Sequence, residues 1–453
     1  MLLIIASYVF YAFWDYRFLF LLIFSTAVSY FTGLKIFQAK SKSGKKIWLL
    51  VGIVIGLGLL AVFKYYNFFI DSFANLLRLF GLQPHVSTLW IILPVGISFY
   101  TFHGLSYILD IYHERIEPTK NAIDYSLFIC FFPLLVAGPI ERATHLLPQL
   151  KCPRTYNAST TVDGLRQILW GLFTKIVVAD NCATYANQIF DNYHVMPANA
   201  LIIGVVLFAF QLYGDFSGYS NIAIGTGRLF GIELMQNFNY PYFATSFADY
   251  WKRNHISMTR WFMDYVYYPM VGSSDKLRYW NFCMIITFLL SGLWHGSNWT
   301  FVLWGLYQGI FIVISMNSQR YRKKFEKRHQ WTKSFFYQLA SMFLTFGIVC
   351  FGLIFFRSSS ISSAGRYISG IFSTSLFSTD IGQYGDGGRI GLFLSGLFVI
   401  GLLGVEWIGR KNLYAIADLG IKKRWHRYLL YYALIFLIIV FSGKQQQFVY
   451  FQF

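Results

Sequence analysis

Two histidines carry the chemistry that this sequence can do. His295 lies inside Phe288–Ile310, FLLSGLWHGSNWTFVLWGLYQGI, a stretch apolar enough for a bilayer, between Trp294 and Gly296. An imidazole taken into hydrocarbon is costly unless it faces a partner, a cavity or a substrate. Unperturbed imidazole titrates at about 6.5, which suits a proton acceptor near neutral pH. Gly292 and Gly296 flank His295 at a spacing that permits close helix approach or access to backbone. The second histidine, His255, falls with Trp251, Met258 and Phe262 at i, i+4, i+7 and i+11. On one continuous helix these four share an apolar face. Asp249, Arg253, Arg260 and Asp264 form a second stripe, with i,i+4 charge pairs at each end. His255 is therefore expected to point into a helix bundle. For each histidine two readings stand: a ring satisfied by neighbouring backbone, or a group that handles substrate.

Other chemistries find little support. GDFSGYS (214–220) is not a G-x-S-x-G nucleophile elbow, because Ser217 comes one place late. No H-x4-D pattern starts at His295, and no H-E-x-x-H or P-loop occurs. The five cysteines, at 130, 152, 182, 283 and 350, show no metal-ligand spacing and read as small buried side chains. No metal site is expected. Asn298-Trp299-Thr300 matches a glycosylation sequon by chance inside an apolar run.

The chain that must position these residues has 453 of them, 56% hydrophobic, 21% aromatic and only 13% charged. A soluble domain carries about 25% charged residues. Apolar runs recur along the whole length, so the chain is read as all-α and polytopic, a lipid-bilayer protein. The net charge of +18 does not point to nucleic acid. Its basic residues gather in short connections between apolar runs, as the positive-inside rule describes. The stretch 35–46 holds five lysines, 319–333 seven basic residues and one acid, and 410–427 six basic residues and one acid. These three are expected on the cytoplasmic side, and the Ser/Gly-rich loop 357–389 outside. The start, MLLIIASYVFYAFW, lacks a basic leader region and a cleavage site and reads as a membrane segment.

In order, the expected apolar helices are 1–13 and 17–34, separated at Trp14-Asp15-Tyr16, then 47–63 and an interfacial helix over 64–81. A span over 89–111 follows, bent by Pro94 and Gly96. After it come 125–137, a polar re-entrant or loop region over 141–161, and spans over 165–179 and 200–213. The central block 214–309 is next, then spans over 335–356, 390–408 and 428–441. Together these give roughly ten to twelve transmembrane or re-entrant helices. No internal repeat and no separate soluble domain is visible, so 1–453 is read as one domain with its core motifs in 214–309.

Several phrases carry a family resemblance: SGLWHGSNWTFVLWGLYQG (291–309), DFSGYSNIAIGTGRLFG (215–231), NFNYPYFATSFADYWKRNHIS (237–257) and the terminal FVYFQF (448–453). LPVGISFYTFHGLSYILDIY (93–112) and AGPIERATHLLPQL (137–150) add to it. Over nearly the whole chain the sequence resembles the membrane-bound O-acyltransferase family. The branch is the bacterial one that modifies alginate, peptidoglycan and teichoic acids, and the phrases stand nearer its alginate-type members. Asn254 departs from the pattern, where Trp is expected before the second histidine. The linker 272–279 is short. One further helix is expected before residue 1, so the start is read as truncated.

The resemblance implies a ring of helices around a central tunnel, with His295 and His255 as catalytic residues. Trp251, Trp294, Gly296, Asn298, Asp215 and Ser217 would bind substrate or line the tunnel. It implies acyl transfer from a cytoplasmic thioester such as acetyl-CoA, with no bound cofactor, to an exported or cell-wall polysaccharide. It further implies a bacterial inner-membrane location and a periplasmic or extracellular SGNH-type acetyltransferase as partner. Two other readings stay open: D-alanyl transfer to teichoic acid, and a transporter or channel without bond chemistry. Against the last, no repeated halves and no charged ring along a pore are seen.

Overall fold

A computed structural model describes residues 1–84, 88–89, 92–378, 388–421, 423–442 and 446–449. Among the described residues all regular structure is helical. Among the described residues six helices are long and apolar enough to cross a membrane: Leu2–Gln38, Lys42–Leu79, Ala198–Leu229, Trp299–Arg328, Phe335–Arg357 and Gly388–Gly409. The chain is an all-α, multi-pass membrane protein. Other apolar helices are shorter. Ile97–Tyr112, with 16 residues, reaches about 24 Å, less than the ~30 Å of a hydrocarbon core. Packing divides the chain into two compact units, Met1–Asn157 with Gly227–Met235, and Ala158–Thr226 with Gln236–Phe453.

In the first unit, the separation expected at Trp14-Asp15-Tyr16 is present as a sharp kink within Leu2–Gln38. Asp15 leaves helical geometry (φ −161°, ψ 110°), and Arg17 clamps its carboxylate from Nε and Nη2 at 2.6–3.1 Å. The span expected over 47–63 and the interfacial helix expected over 64–81 join through a π-helical turn, Ala61–Tyr65, into one long helix, Lys42–Leu79. Pro94 and Gly96 do not bend a span over 89–111. They precede the helix, which starts at Ile97, while residues 90 and 91 lie outside the described set. Gly96 caps that start with φ +74°, and a Cβ there would fall on the Leu135 carbonyl. Only glycine meets both demands. The polar region 141–161 is not a loop throughout, for Ala143–Lys151 is helical. Buried Glu141 accepts the Met235 N–H at 2.5 Å and meets His145 Nδ1 at 2.8 Å.

In the second unit, the span expected over 200–213 continues to Leu229, carrying the DFSGYS phrase on its later turns. The basic stretch 319–333 is helical to Arg328 and closes in a 3-10 turn, Gln330–Lys333. The expected outer loop contains helix Ile361–Ile371, opened by a Ser360/Ser363 capping box; residues 379–387 lie outside the described set. Helices Leu277–His295 and Trp299–Arg328 pack backbone to backbone. A Cβ at Gly305 would meet the Phe288 carbonyl, with Leu289 Cα at 3.1 Å, and one at Gly309 would come 3.0 Å from Ile285 Cα. Gly292, Gly305 and Gly309 at this seam let the helices approach closely, whereas Gly296 lies beyond the helix end, against the Phe301 ring. Replacing Gly305 by Leu forces these helices apart. We expect a loss of about 1–3 kcal/mol, read as a lower unfolding midpoint in detergent, with Gly347→Leu as control because nothing lies within 4 Å of its Cβ position.

Candidate active site

Both histidines sit where helices stop. His295 is the last residue of helix Leu277–His295, and Gly296 leaves in extended geometry (φ −160°, ψ 153°). A Cβ at Gly296 would fall on the Phe301 ring, so the chain can turn back only with glycine there. Asn298 then opens the next helix, accepting the Thr300 N–H at 3.1 Å and donating from Nδ2 to the Ser359 carbonyl at 3.0 Å. His295 is buried among rings, with Trp294 at 4.9 Å, Trp304 at 5.1 Å and Phe356 at 5.4 Å between centroids.

The continuous helix expected through His255 does not form. Phe247–Arg253 ends, Asn254 is extended, and His255 adopts left-handed geometry (φ +46°, ψ +52°) before Ile256–Phe262 begins. That conformation costs a non-glycine residue about 1–2 kcal/mol. Segment 237–239 compensates on both sides of the break: Asn239 N–H donates to the Arg253 carbonyl and Ile256 N–H to the Asn237 carbonyl, each at 2.8 Å. The helical-face argument therefore reached the right neighbours by the wrong geometry. Trp251, His255 and Met258 do face one space, across a hinge.

That space is a cavity of about 40 Å³ in the second unit, room for roughly two or three waters. His255 and His295 both line it, with ring centroids 6.4 Å apart. Tyr213, Tyr242, Tyr250, Gln308 and Phe356 complete much of the wall. Gln308 accepts from Trp251 Nε1 at 3.3 Å, and Tyr213 donates its hydroxyl to Glu406 at 2.6 Å. Phe216 stands edge-on to His255 at 4.5 Å. Helix Phe247–Arg253 also contributes to a second space. Its Asp249 and Arg253, paired at 3.0 Å, join Arg322, Lys323, Lys327, Lys333 and Arg410 around an open cleft of about 1060 Å³.

Two histidines thus meet in a cavity lined mainly by aromatic and aliphatic side chains inside a multi-pass helical protein. The membrane-bound O-acyltransferase family model matches residues 118–357. The chain belongs to that family. It is 40% identical over 316 residues to the probable alginate O-acetylase AlgI of Pseudomonas aeruginosa, covering 69% of this chain and 60% of that protein. It is 35% identical over 397 residues to the peptidoglycan O-acetyltransferase of Helicobacter pylori, covering 82% and 73%. A teichoic acid D-alanyltransferase of Bacillus subtilis is 28% identical over 293 residues, covering 60% and 71%. The chain spans about three fifths of the length of the alginate-type relatives from Pseudomonas aeruginosa and Azotobacter vinelandii.

The remaining residues singled out in the sequence of this family member divide. Trp251 lines the cavity. Trp294 lies beside both imidazoles, 6.0 Å from His255. Gly296 serves the turn and Asn298 the helix cap, so neither belongs to the cavity wall. Asp215 and Ser217 are buried on helix Ala198–Leu229, but it is Leu212, Tyr213 and Phe216 of that helix that reach the cavity. Asp215 instead accepts the Val449 N–H at 2.8 Å and pairs with Lys175 at 2.8 Å. Lys175 also donates to Asp180 at 2.5 Å. Lys175, Asp180 and Glu406 were missed in the sequence, although each is a charge inside or beside an apolar run, which is the available signal. Removing the lysine leaves two buried carboxylates facing each other. Lys175→Met is expected to cost about 3–5 kcal/mol, and Lys175→Met with Asp215→Asn to recover part of it. Unfolding midpoints of the single and double variants and the unaltered protein in detergent check this, and a single variant as stable as the unaltered protein would show that the cluster holds nothing together.

Proposed function

We propose that this protein moves an acyl group, with acetyl the group that fits, from a cytoplasmic thioester towards an acceptor hydroxyl on the outer side of a bacterial inner membrane. The product serves O-acetylation of an exported or cell-wall polysaccharide. The observation that carries this reading is the pair of imidazoles lining one buried cavity of about 40 Å³. Such a space favours a two-carbon acyl group over a long chain. The relatives named for alginate and peptidoglycan O-acetylation support acetyl over D-alanyl transfer, since they are the more similar.

In the step we infer, His295 takes the proton of the acceptor hydroxyl as its oxygen attacks the thioester carbonyl. The carbon–sulfur bond breaks, and the proton passes from the imidazole to the departing thiolate. General-base help of this kind contributes about 10²–10⁴-fold. His255 orients the group that arrives in the cavity. Exclusion of water protects the activated acyl group from hydrolysis. The basic cleft supports a phosphate-bearing donor such as acetyl-CoA, because Arg322, Lys323, Lys327, Lys333 and Arg410 in its wall come from the stretches that the positive-inside rule assigns to the cytoplasm. Polysaccharide attachment itself falls to an external SGNH-type acetyltransferase in this reading.

Purified protein in nanodiscs, given acetyl-labelled CoA and a polysaccharide fragment as hydroxyl acceptor, is expected to release thiol and labelled acceptor. His295→Ala is expected to lower this by at least about 10²-fold while inserting normally. Intact thioester with the unaltered protein would favour a transporter. Reversing Lys323, Lys327 and Lys333 to Glu is expected to raise the donor KM and leave kcat nearly unchanged, the signature of lost ground-state binding. An unchanged KM would remove the donor from the cleft.

A further inference from the structure

Asn237 is fully buried and gathers four hydrogen bonds around its side-chain amide. Its Oδ1 lies 3.2 Å from His255 Nδ1, 2.8 Å from Ser257 Oγ and 3.3 Å from the Ser257 backbone nitrogen. Its Nδ2 donates to Ser220 Oγ at 3.1 Å. A backbone N–H can only donate, so the Asn237 atom facing Ser257 is the oxygen and not the amide nitrogen. The same oxygen faces His255 Nδ1, and two acceptors do not bond to each other. Nδ1 of the neutral ring therefore carries the proton.

We propose that Asn237 is a positioning residue that holds His255 as its Nδ1–H tautomer, making Nε2 the accepting nitrogen at the cavity. The catalytic consequence rests on the acyl-transfer reading above; the tautomer does not. With Nδ1–H committed to Asn237, the neutral ring has no proton to give to a developing oxyanion. His255 instead accepts the hydrogen bond of a hydroxyl or thiol held in the cavity and so orients it towards its reaction partner. The hinge serves the same end. The Asn237 carbonyl binds Ile256 N–H at 2.8 Å, so one residue fixes both the backbone and the ring of position 255. In enzymes that use a ring nitrogen as acceptor, the group on the other nitrogen sets which one is available.

The tautomer can be read directly by nitrogen NMR of histidine-labelled protein in nanodiscs, with His255→Gln identifying the signal. The expected pattern is a protonated Nδ1 and a bare Nε2 in the unaltered protein. Asn237→Asp keeps an accepting oxygen for Nδ1–H and Ser257 and is expected to retain the pattern. Asn237→Leu is expected to lose it and to lower kcat by about 10²–10⁴-fold with little change in donor KM. A protonated Nε2 in the unaltered protein, or an unchanged pattern in Asn237→Leu, overturns the proposal. If Asn237→Leu does not fold, the spectrum of the unaltered protein decides alone. The expected pattern in a protein that transfers no acyl group would leave the tautomer standing and sink the function.

Discussion

An imidazole carried into the interior of a membrane protein must exchange its water for fixed partners, and a continuous helix has few to offer. Its backbone groups are already spent on one another. Both histidines here stand at helix ends, and for His255 the break brings Asn237 to the ring. His295 closes one helix before Gly296, and His255 occupies a left-handed hinge between two short ones. At each break the chain supplies what the helix lacks. Asn298 caps the helix that follows His295, and segment 237–239 bonds to both sides of His255. The close approach of Gly305 to Phe288 and Leu289 keeps the two helices around His295 in register. Without these breaks the rings could be buried but not placed.

The cost of the arrangement is spread over neighbouring groups. The left-handed hinge at His255 is held by Asn237 through both backbone and side chain. Tyr213, part of the cavity wall, is tied by its hydroxyl to Glu406, a carboxyl buried within helix Gly388–Gly409. A buried carboxyl in a membrane span persists only with such a partner. On helix Ala198–Leu229 the ring of Phe216 packs on His255, while the preceding Asp215 reaches Lys175 and the backbone of Val449. Neighbouring residues of one helix thus serve the cavity and a buried ion cluster.

Much of this was legible in the sequence. Apolar runs and the placement of lysine and arginine gave a multi-pass helical protein, and the motif phrases gave the family. His295 stood out because it was the one residue in Phe288–Ile310 whose ordinary titration lies near neutral pH. What failed were the helix ends. Periodicity carried the Trp251, His255, Met258 pattern straight across a hinge, because the residues return to one side after the break. No spacing rule signals that hinge, since His255 is not glycine and its left-handed geometry is imposed by Asn237 and Asn239 from another segment. Pro94 and Gly96 were read as a bend within a span when they stand before its start. Asn298, which the resemblance assigns to substrate binding or the tunnel lining, has its Oδ1 taken by the Thr300 N–H as a helix cap. Tyr213 and Gln308 were invisible because tyrosine and glutamine in apolar runs are common, and only the fold brings them to the histidines.

The central claim is that His255 and His295 act as one unit across a shared cavity. Acyl-transfer rates of His255→Ala, His295→Ala and the double variant, measured on the same labelled thioester, test it most directly. Residues that work as a unit are strongly non-additive. The account predicts a double variant about as slow as the slower single one. Independent, multiplying losses, or a single variant with full activity, would contradict it.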